Sequence, residues 1–209
     1  MKTDKCKICR RAGDKLFLKG DRCNSVKCSM IRKPYAPGQK GKRRPKPLSE
    51  YGKQLKEKQK LKNWYNLRET QFSNYVKSVL EKKSGAEDAP VKLIQLLEKR
   101  LDNVIFRLGF AASRNKARQI VSHRHILVNG RIVNISSFSV KKDDKIQIRP
   151  SSVNKPIFKD LAASLKKYVT PSWLLLKIDQ FEGTVKLEPV LEEAAPPIEL
   201  SSVFEFYSK

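Results

Sequence analysis

All four cysteines of this 209-residue chain lie within its first 28 residues, as Cys6, Cys9, Cys23 and Cys28 in the spacing C-x2-C-x13-C-x4-C. Two close pairs joined by a loop is how a backbone wraps one tetrahedral ion, each pair turning around the metal. The segment is too short and polar to fold on apolar burial. Zinc binding, about 10–16 kcal/mol in small zinc peptides, would then be its folding energy. Lys5, Lys7, Arg10 and Arg11 flank the first pair with a positive field that favours thiolates. Four thiolates leave no open coordination position, so the expected site is structural and offers no catalytic water. An iron–sulfur cluster takes the same ligands and stays open as the alternative. The paired spacing argues against four unrelated reduced thiols.

Charge is the second constraint. The chain carries 45 Lys and Arg against 21 Asp and Glu, a formal +24, with 39% hydrophobic residues. A body so charged repels itself and makes sense beside a polyanion. The surplus is graded, +12 over residues 1–45 and −1 over residues 151–209. The first three-quarters are therefore expected to meet nucleic acid, and the balanced last quarter to meet protein or solvent. No stretch approaches the roughly 20 apolar residues of a spanning helix. The basic N-terminus is followed by no apolar core of a secretory signal, and lipidation patterns are missing. The expectation is a cytoplasmic protein with no membrane and no small-molecule substrate.

Between Ser29 and Pro47 the chain has four prolines and seven Lys/Arg and almost nothing to bury. Prolines remove donors and bias their predecessors toward extended geometry, so no regular element is expected. Arg32, Lys33, Lys40, Lys42, Arg43 and Arg44 would reach phosphates along such an arm, and Tyr35 could stack on a base or ribose. Ser49 and Glu50 then open a helical stretch. Its stripe runs from Leu61 to Leu80, divided near Asn63 and Asn66, with Lys53, Lys56, Lys58, Lys60 and Lys62 on an exposed earlier part. Alone these lysines would be a solvated face; next to the arm they extend the basic surface, with Lys53 among the RNA-contact candidates. A further helix starts near Pro90, and its apolar face from Ile94 to Leu108 ends at Gly109.

Ser113 caps a short helix whose apolar face is Ala117, Ile120 and Val121. Its other residues, Arg114, Asn115, Lys116, Arg118 and Gln119, are all donors suited to phosphates, beside a helix N-terminus with unpaired amides. Two apolar runs around Asn129-Gly130, followed by Arg131, give the strongest short hairpin signal. Arg100, Asn103 and Arg107 precede this motif and complete the RNA-facing set with His123, Arg124 and His125. The two histidines have no third metal ligand nearby and are read as RNA contacts or packing. Strands are expected at 145–149, 173–178 and 183–187, a helix at 157–168, a surface loop at 188–197, and a last strand at 203–207, where Val203-Phe204-Glu205-Phe206-Tyr207 alternates.

The runs RLDNVIFRLGF, SRNKARQIV, HILVNG and VFEFYSK, with the four-cysteine knuckle and PYAPGQKGKRR, resemble the bacterial S-four family of small-subunit ribosomal proteins over almost the whole chain. The resemblance implies an α+β protein. Residues 1–47 would form the zinc knuckle and extended arm, and residues 48–90 the rest of a mostly helical N-terminal domain. Residues 91–150 would form an S-four RNA-binding unit of two helices on a small mixed sheet, completed within an α/β domain by residues 151–209. It implies no enzyme. Its members bind small-subunit ribosomal RNA early in assembly, beside small-subunit protein S-five and other ribosomal proteins, near where mRNA enters, and influence decoding accuracy. One departure is Arg124, where the family usually has Gly. An RNA-modifying enzyme guided by the same unit, or a regulator of its own message, are the rival readings. The former would need a pocket with an activated carboxylate, nucleophile or open metal site.

Overall fold

The computed structural model describes residues 4–39, 41–42, 47–81 and 88–208. They fall into two compact units, Met1–Pro90 with Pro196–Lys209, and Val91–Ala195.

In the first unit, α1 (Lys5–Ala12) begins where the Asp4 carboxylate accepts the Cys6 amide at 3.1 Å. It ends at Gly13, whose φ of 80° lets its amide turn back onto the Cys9 carbonyl. Two single-turn helices follow, α2 (Asp21–Asn24) and α3 (Ser29–Arg32), the first holding Cys23 and the second preceded by Cys28. α3 lies in the stretch read as lacking regular structure. One helical turn fits because the first proline comes only at position 34, and the pre-proline residue Lys33 ends it at φ −143° and ψ 73°.

Ser49 caps α4 (Glu50–Trp64) by accepting the Gly52 amide at 3.2 Å, and Glu50 sits in its first turn. The chain turns through Tyr65 and Asn66, the latter at φ 56°, before α5 (Glu69–Glu81), so the expected division holds. The exposed lysine face does not. Lys58 and Lys60 are buried. Lys58 donates to Glu69 at 2.6 Å, and Lys60 bridges Asp14 at 2.6 Å and Glu57 at 2.8 Å. Long lysine stems cover apolar surface when a carboxylate meets the ammonium, so the pattern of lysines alone misassigns this face.

The second unit takes up α6 (Asp88–Glu98) from Val91 onward and continues with α7 (Leu101–Arg107). The apolar face expected to run unbroken to Gly109 is interrupted at Lys99 and Arg100. There the backbone extends, the Leu101 amide donates to the Phe138 carbonyl, and the Val140 amide donates to the Lys99 carbonyl. α8 (Arg114–Ser122) packs on α7, its first turn capped by Ser113 accepting the Lys116 amide at 3.3 Å.

Next come β1 (Ile126–Val128), β2 (Arg131–Ile132), β3 (Lys145–Ile148) and α9 (Pro150–Val153). A 3-10 turn at Pro156–Phe158 and α10 (Leu161–Leu165) stand where one helix was expected. β4 (Leu174–Lys177), β5 (Glu182–Val185) and α11 (Leu191–Ala194) complete the unit, the last a short helix within the anticipated surface loop. The strands form one sheet in the order β2-β1-β3-β5-β4, antiparallel at every pairing rather than mixed. Asn129 and Gly130, at φ 50° and 77°, make the two-residue turn between β1 and β2. The core gathers Leu101, Val104, Ile105 and Leu108 from α7, Ala117, Ile120 and Val121 from α8, and the inner face of the sheet.

The chain returns to the first unit as α12 (Leu200–Ser208), a helix where alternation suggested a strand. Leu200, Val203, Phe206 and Tyr207 also fit a helical stripe, and docking on α4 decides between the two periods. Tyr51 and Phe206 pack with ring centroids 5.5 Å apart, and the Gln54 amide donates to Glu205 at 2.7 Å. Glu69 ties the helices together by accepting from Lys58, from Lys62 at 3.0 Å and from the Tyr207 hydroxyl at 3.0 Å. Burial pushes its carboxyl up, but these donors outweigh it and bring it down to about 2.

Candidate nucleic-acid interface

The residues expected to face RNA in the second unit separate into an inward and an outward set. Inward, Glu98 is almost fully buried at 1% exposure and accepts from three side-chain nitrogens. The Asn103 amide donates to its Oε2 at 2.7 Å, and the Arg107 guanidinium grips both carboxylate oxygens at 2.9 Å, as a bidentate pair. Arg107 also donates to the Ala194 carbonyl at 3.1 Å. Arg114 Nε donates to the Asn103 side-chain Oδ1 at 2.7 Å, and its guanidinium lies 4.6 Å over the Phe106 ring. Arg100, 1% exposed, forms its own pair with Asp102 at 3.0 and 2.7 Å. The structure thus uses all four within the unit: Arg100 pairs with Asp102, while Asn103 and half-buried Arg107 tie α7 to Glu98 at the end of α6, and Arg114 ties α8 to α7.

Outward lie Asn115, Gln119, His123, Arg124, Asn129, Gly130 and Arg131, all exposed, with Lys116 and Arg118 half-buried on the same helix. The hydroxyl of Ser113 is used on its own helix. Asn129 also has an internal task. Its amide donates to Asp144 at 2.8 Å and its oxygen accepts the Lys145 amide at 2.9 Å, which pins the hairpin to β3. His125 is buried, its Nδ1 2.9 Å from the Ser152 hydroxyl and its ring edge-on to Phe158. Burial, then the charges of Lys155, His123 and Arg149, push that ring below the usual histidine value. Of the two readings left open for the histidines, packing describes His125.

Arg124 stands at φ 60°, in the left-handed region. α8 ends there in a Schellman motif: the Arg124 amide donates to the Val121 carbonyl at 2.9 Å and the His125 amide to the Ile120 carbonyl at 3.2 Å. That position favours glycine, because a side chain there costs about 1–2 kcal/mol. Arg124→Gly is therefore expected to stabilise the second unit by about 1 kcal/mol, read as a rise in its urea midpoint. An unchanged or lower midpoint would show that the guanidinium makes an offsetting contact.

In the first unit Arg32, Lys33 and Lys42 are exposed, while Lys40, Arg43 and Arg44 lie outside the described residues. Tyr35, expected to stack on a base or ribose, has two cations against its ring, the Arg10 guanidinium 4.9 Å and the Lys42 ammonium 5.7 Å from its centre. Lys53 is exposed and pairs with Glu50 at 2.6 Å. Cys9, Cys23 and Cys28 are buried and Cys6 half-buried. Backbone amides donate to two of the sulfurs, that of Leu16 to Cys9 and that of Lys19 to Cys23 at 3.3 Å. Burial pushes the Cys9 thiol up, and the other three thiols push it the same way. Among the described residues, no three His, Cys, Asp or Glu side chains are arranged to ligate an ion. No described helix is long and apolar enough to cross a membrane.

Sequence reading missed Glu98, the centre of the inward set. The signal was present: Ile94, Leu97, Glu98 and Leu101 stand at helical spacing, which puts a carboxylate on the buried stripe. A carboxylate there must be paired, and Asn103 and Arg107 supply its donors.

Residues 1–98 match the family described as "Ribosomal protein S4/S9 N-terminal domain", and residues 99–146 match the "S4 domain". The boundary falls at the break between α6 and α7. Among curated relatives, the small ribosomal subunit protein uS4 of Syntrophus aciditrophicus is 47% identical over 209 residues, covering 100% of this chain and 98% of the relative. The proteins of the same name from Caldicellulosiruptor bescii and Thermotoga petrophila are 48% and 45% identical, each over 98% of this chain and 96% of the relative. None of these three is named as an enzyme. With both matches spanning most of the sequence and relatives similar along nearly all of it, the chain belongs to the family of small ribosomal subunit protein uS4.

Proposed function

We propose that this protein is a structural constituent of the small ribosomal subunit that binds small-subunit ribosomal RNA directly and helps nucleate assembly of the subunit body. The observation that carries the reading is the sorting of polar residues in the second unit. Arg100, Asn103 and Arg114 are buried and half-buried Arg107 grips buried Glu98, while Asn115, Gln119, His123, Arg124 and Arg131 are exposed, and Lys116 and Arg118 half-buried, along α8 and the hairpin that follows it. Donors on such a scaffold suit a folded RNA read by its shape, phosphates and 2′-hydroxyls. In the first unit Arg32, Lys33, Lys42 and Lys53, with Lys40, Arg43 and Arg44, extend the phosphate contacts. Protein S-five is the proposed neighbour of the near-neutral last quarter, close to where mRNA enters, which gives the protein its influence on accuracy. The test is co-sedimentation with small ribosomal subunits after a high-salt wash. Retention supports the reading, and full release into the supernatant at salt that leaves other primary binders in place contradicts it.

Cys6, Cys9, Cys23 and Cys28 are proposed to hold one structural zinc, an iron–sulfur cluster being the alternative. Four sulfurs in two short spacings suit zinc, and the amide donors onto Cys9 and Cys23 would stabilise thiolates. The purified protein is expected to carry one equivalent of zinc, and Cys9→Ser to lose most of it. Stoichiometric metal unchanged in Cys9→Ser, or stoichiometric iron and sulfide in the parent, would overturn the zinc assignment.

A further inference from the structure

The turn between β1 and β2 sets an asparagine directly before a glycine, and both Asn129 and Gly130 are exposed. A side-chain amide followed by glycine is self-reactive. The Gly130 nitrogen, once deprotonated, attacks Cγ of Asn129. The new N–C bond forms as the Cγ–Nδ2 bond breaks, Nδ2 leaves as ammonia, and the chain is left as a cyclic imide. Water then opens either carbonyl, giving aspartate at position 129 or an isoaspartate whose backbone runs through the former side chain. Glycine permits the approach because it has no Cβ, and one built on Gly130 would meet nothing within 4 Å, so the space around the turn is open.

The fold opposes this reaction. The Asn129 backbone amide donates to the Lys145 carbonyl at 2.9 Å, its Oδ1 accepts the Lys145 amide at 2.9 Å, and its Nδ2 donates to Asp144 Oδ1 at 2.8 Å. Asp144 is fixed in turn, its Oδ2 accepting the Lys141 amide at 2.7 Å. Both ends of the reactive amide are thus bonded to the start of β3, and swinging Cγ onto the Gly130 nitrogen requires those bonds to break. The products do not fit the place left to them. Aspartate at 129 sets a carboxylate where an amide donor met Asp144, so like charges stand at hydrogen-bond distance. Isoaspartate adds a backbone carbon to a two-residue turn whose register pairs Val128 with Arg131.

We infer that Asn129-Gly130 is a site of spontaneous deamidation, held off in the folded second unit by Asp144 and Lys145 and open to reaction once they let go. Conversion frees the hairpin from β3, so a molecule whose second unit has opened carries a covalent mark of it.

The test incubates the full-length protein in mildly alkaline buffer and follows the tryptic peptide His125–Arg131 by mass spectrometry, with isoaspartate counted by enzymatic methylation. The urea-unfolded chain should convert at Asn129, and unfolded Gly130→Ala far more slowly. The folded parent should convert much more slowly than its unfolded chain. Asp144→Ala, under conditions where its urea transition shows it folded, should convert about tenfold faster than the folded parent, the factor that one lost charge-assisted hydrogen bond represents. Asp144→Asn keeps an acceptor oxygen and should fall between the two; it carries the comparison if the alanine variant does not fold. Asn129→Asp should lower the urea midpoint of the second unit. A folded parent that converts as fast as its unfolded chain, Asp144 variants no faster than the parent, or an unchanged Asn129→Asp midpoint overturns the restraint. No conversion at Asn129 in the unfolded chain overturns the site itself.

Discussion

Replacing Glu98 by Ala is expected to destabilise the second unit by about 3–5 kcal/mol, the cost of leaving the Arg107 guanidinium and the buried Asn103 amide without their carboxylate. The Arg107 guanidinium loses both of its 2.9 Å partners on Glu98 and Asn103 loses its 2.7 Å acceptor. The effect should spread to Arg114, which is held through Asn103. Glu98→Gln should cost less, because the amide keeps one carbonyl oxygen for one of the donors. Each unit carries one tryptophan, Trp64 in α4 and Trp173 before β4, so a Trp64→Phe background makes urea-induced fluorescence change a reporter of the second unit alone. A Glu98→Ala midpoint within experimental error of the parent's would mean the network contributes little and that Arg107 and Arg114 hold their places by packing.

The next largest effect is steric. Gly183 lies in β5 beneath α7, and a Cβ built on it would fall 2.4 Å from Leu108 Cδ1 and 2.5 Å from Cδ2. Carbon atoms do not approach so closely, so either the leucine leaves its seat or the helix lifts from the sheet. Gly183→Ala should cost about 1–3 kcal/mol, the usual range for overpacking a core. Leu108→Ala alone should cost about 2–5 kcal/mol by leaving a cavity. If the clash is the cause, the double variant should cost less than the two single losses added, because each change accommodates the other. Strict additivity in that cycle, measured with the same fluorescence reporter, would locate the glycine's role elsewhere.

Much of this architecture is readable along the chain because it is set within a few residues. Ser49 and Ser113 cap the helices expected of them, and Asn129-Gly130 makes the hairpin turn, since caps and two-residue turns are local geometry. What could not be read depends on partners distant in sequence. The run from Val203 to Tyr207 fits both a strand and a helix, and α4, some 150 positions earlier, supplies the surface that makes it a helix. The interruption at Arg100 arises because the chain near Phe138 to Val140 takes up the backbone groups freed there. Lys58 and Lys60 look like a solvated face until Glu69, Asp14 and Glu57 are brought to them.

The same distinction applies to the interface. A basic, amide-rich helix after a serine cap marks the general place where nucleic acid is met. Nothing in the spacing says which arginines are spent holding the unit together. Arg114 and Arg118 stand on the same nine-residue helix, yet Arg114 is buried and bonded to Asn103 while Arg118 is half-buried on its outer side.

The outward cations should recognise the folded small-subunit ribosomal RNA rather than polyanions in general. The decisive measurement is the affinity of the intact protein for a small-subunit ribosomal RNA fragment and for unrelated RNA of equal length, at matched salt from about 0.05 to 0.5 M. Phosphate neutralisation predicts a steep fall of both affinities with salt, about 0.7–0.9 in slope per contact. Recognition of shape predicts that the ribosomal fragment stays the tighter ligand throughout, and equal affinities across the whole series would contradict the account.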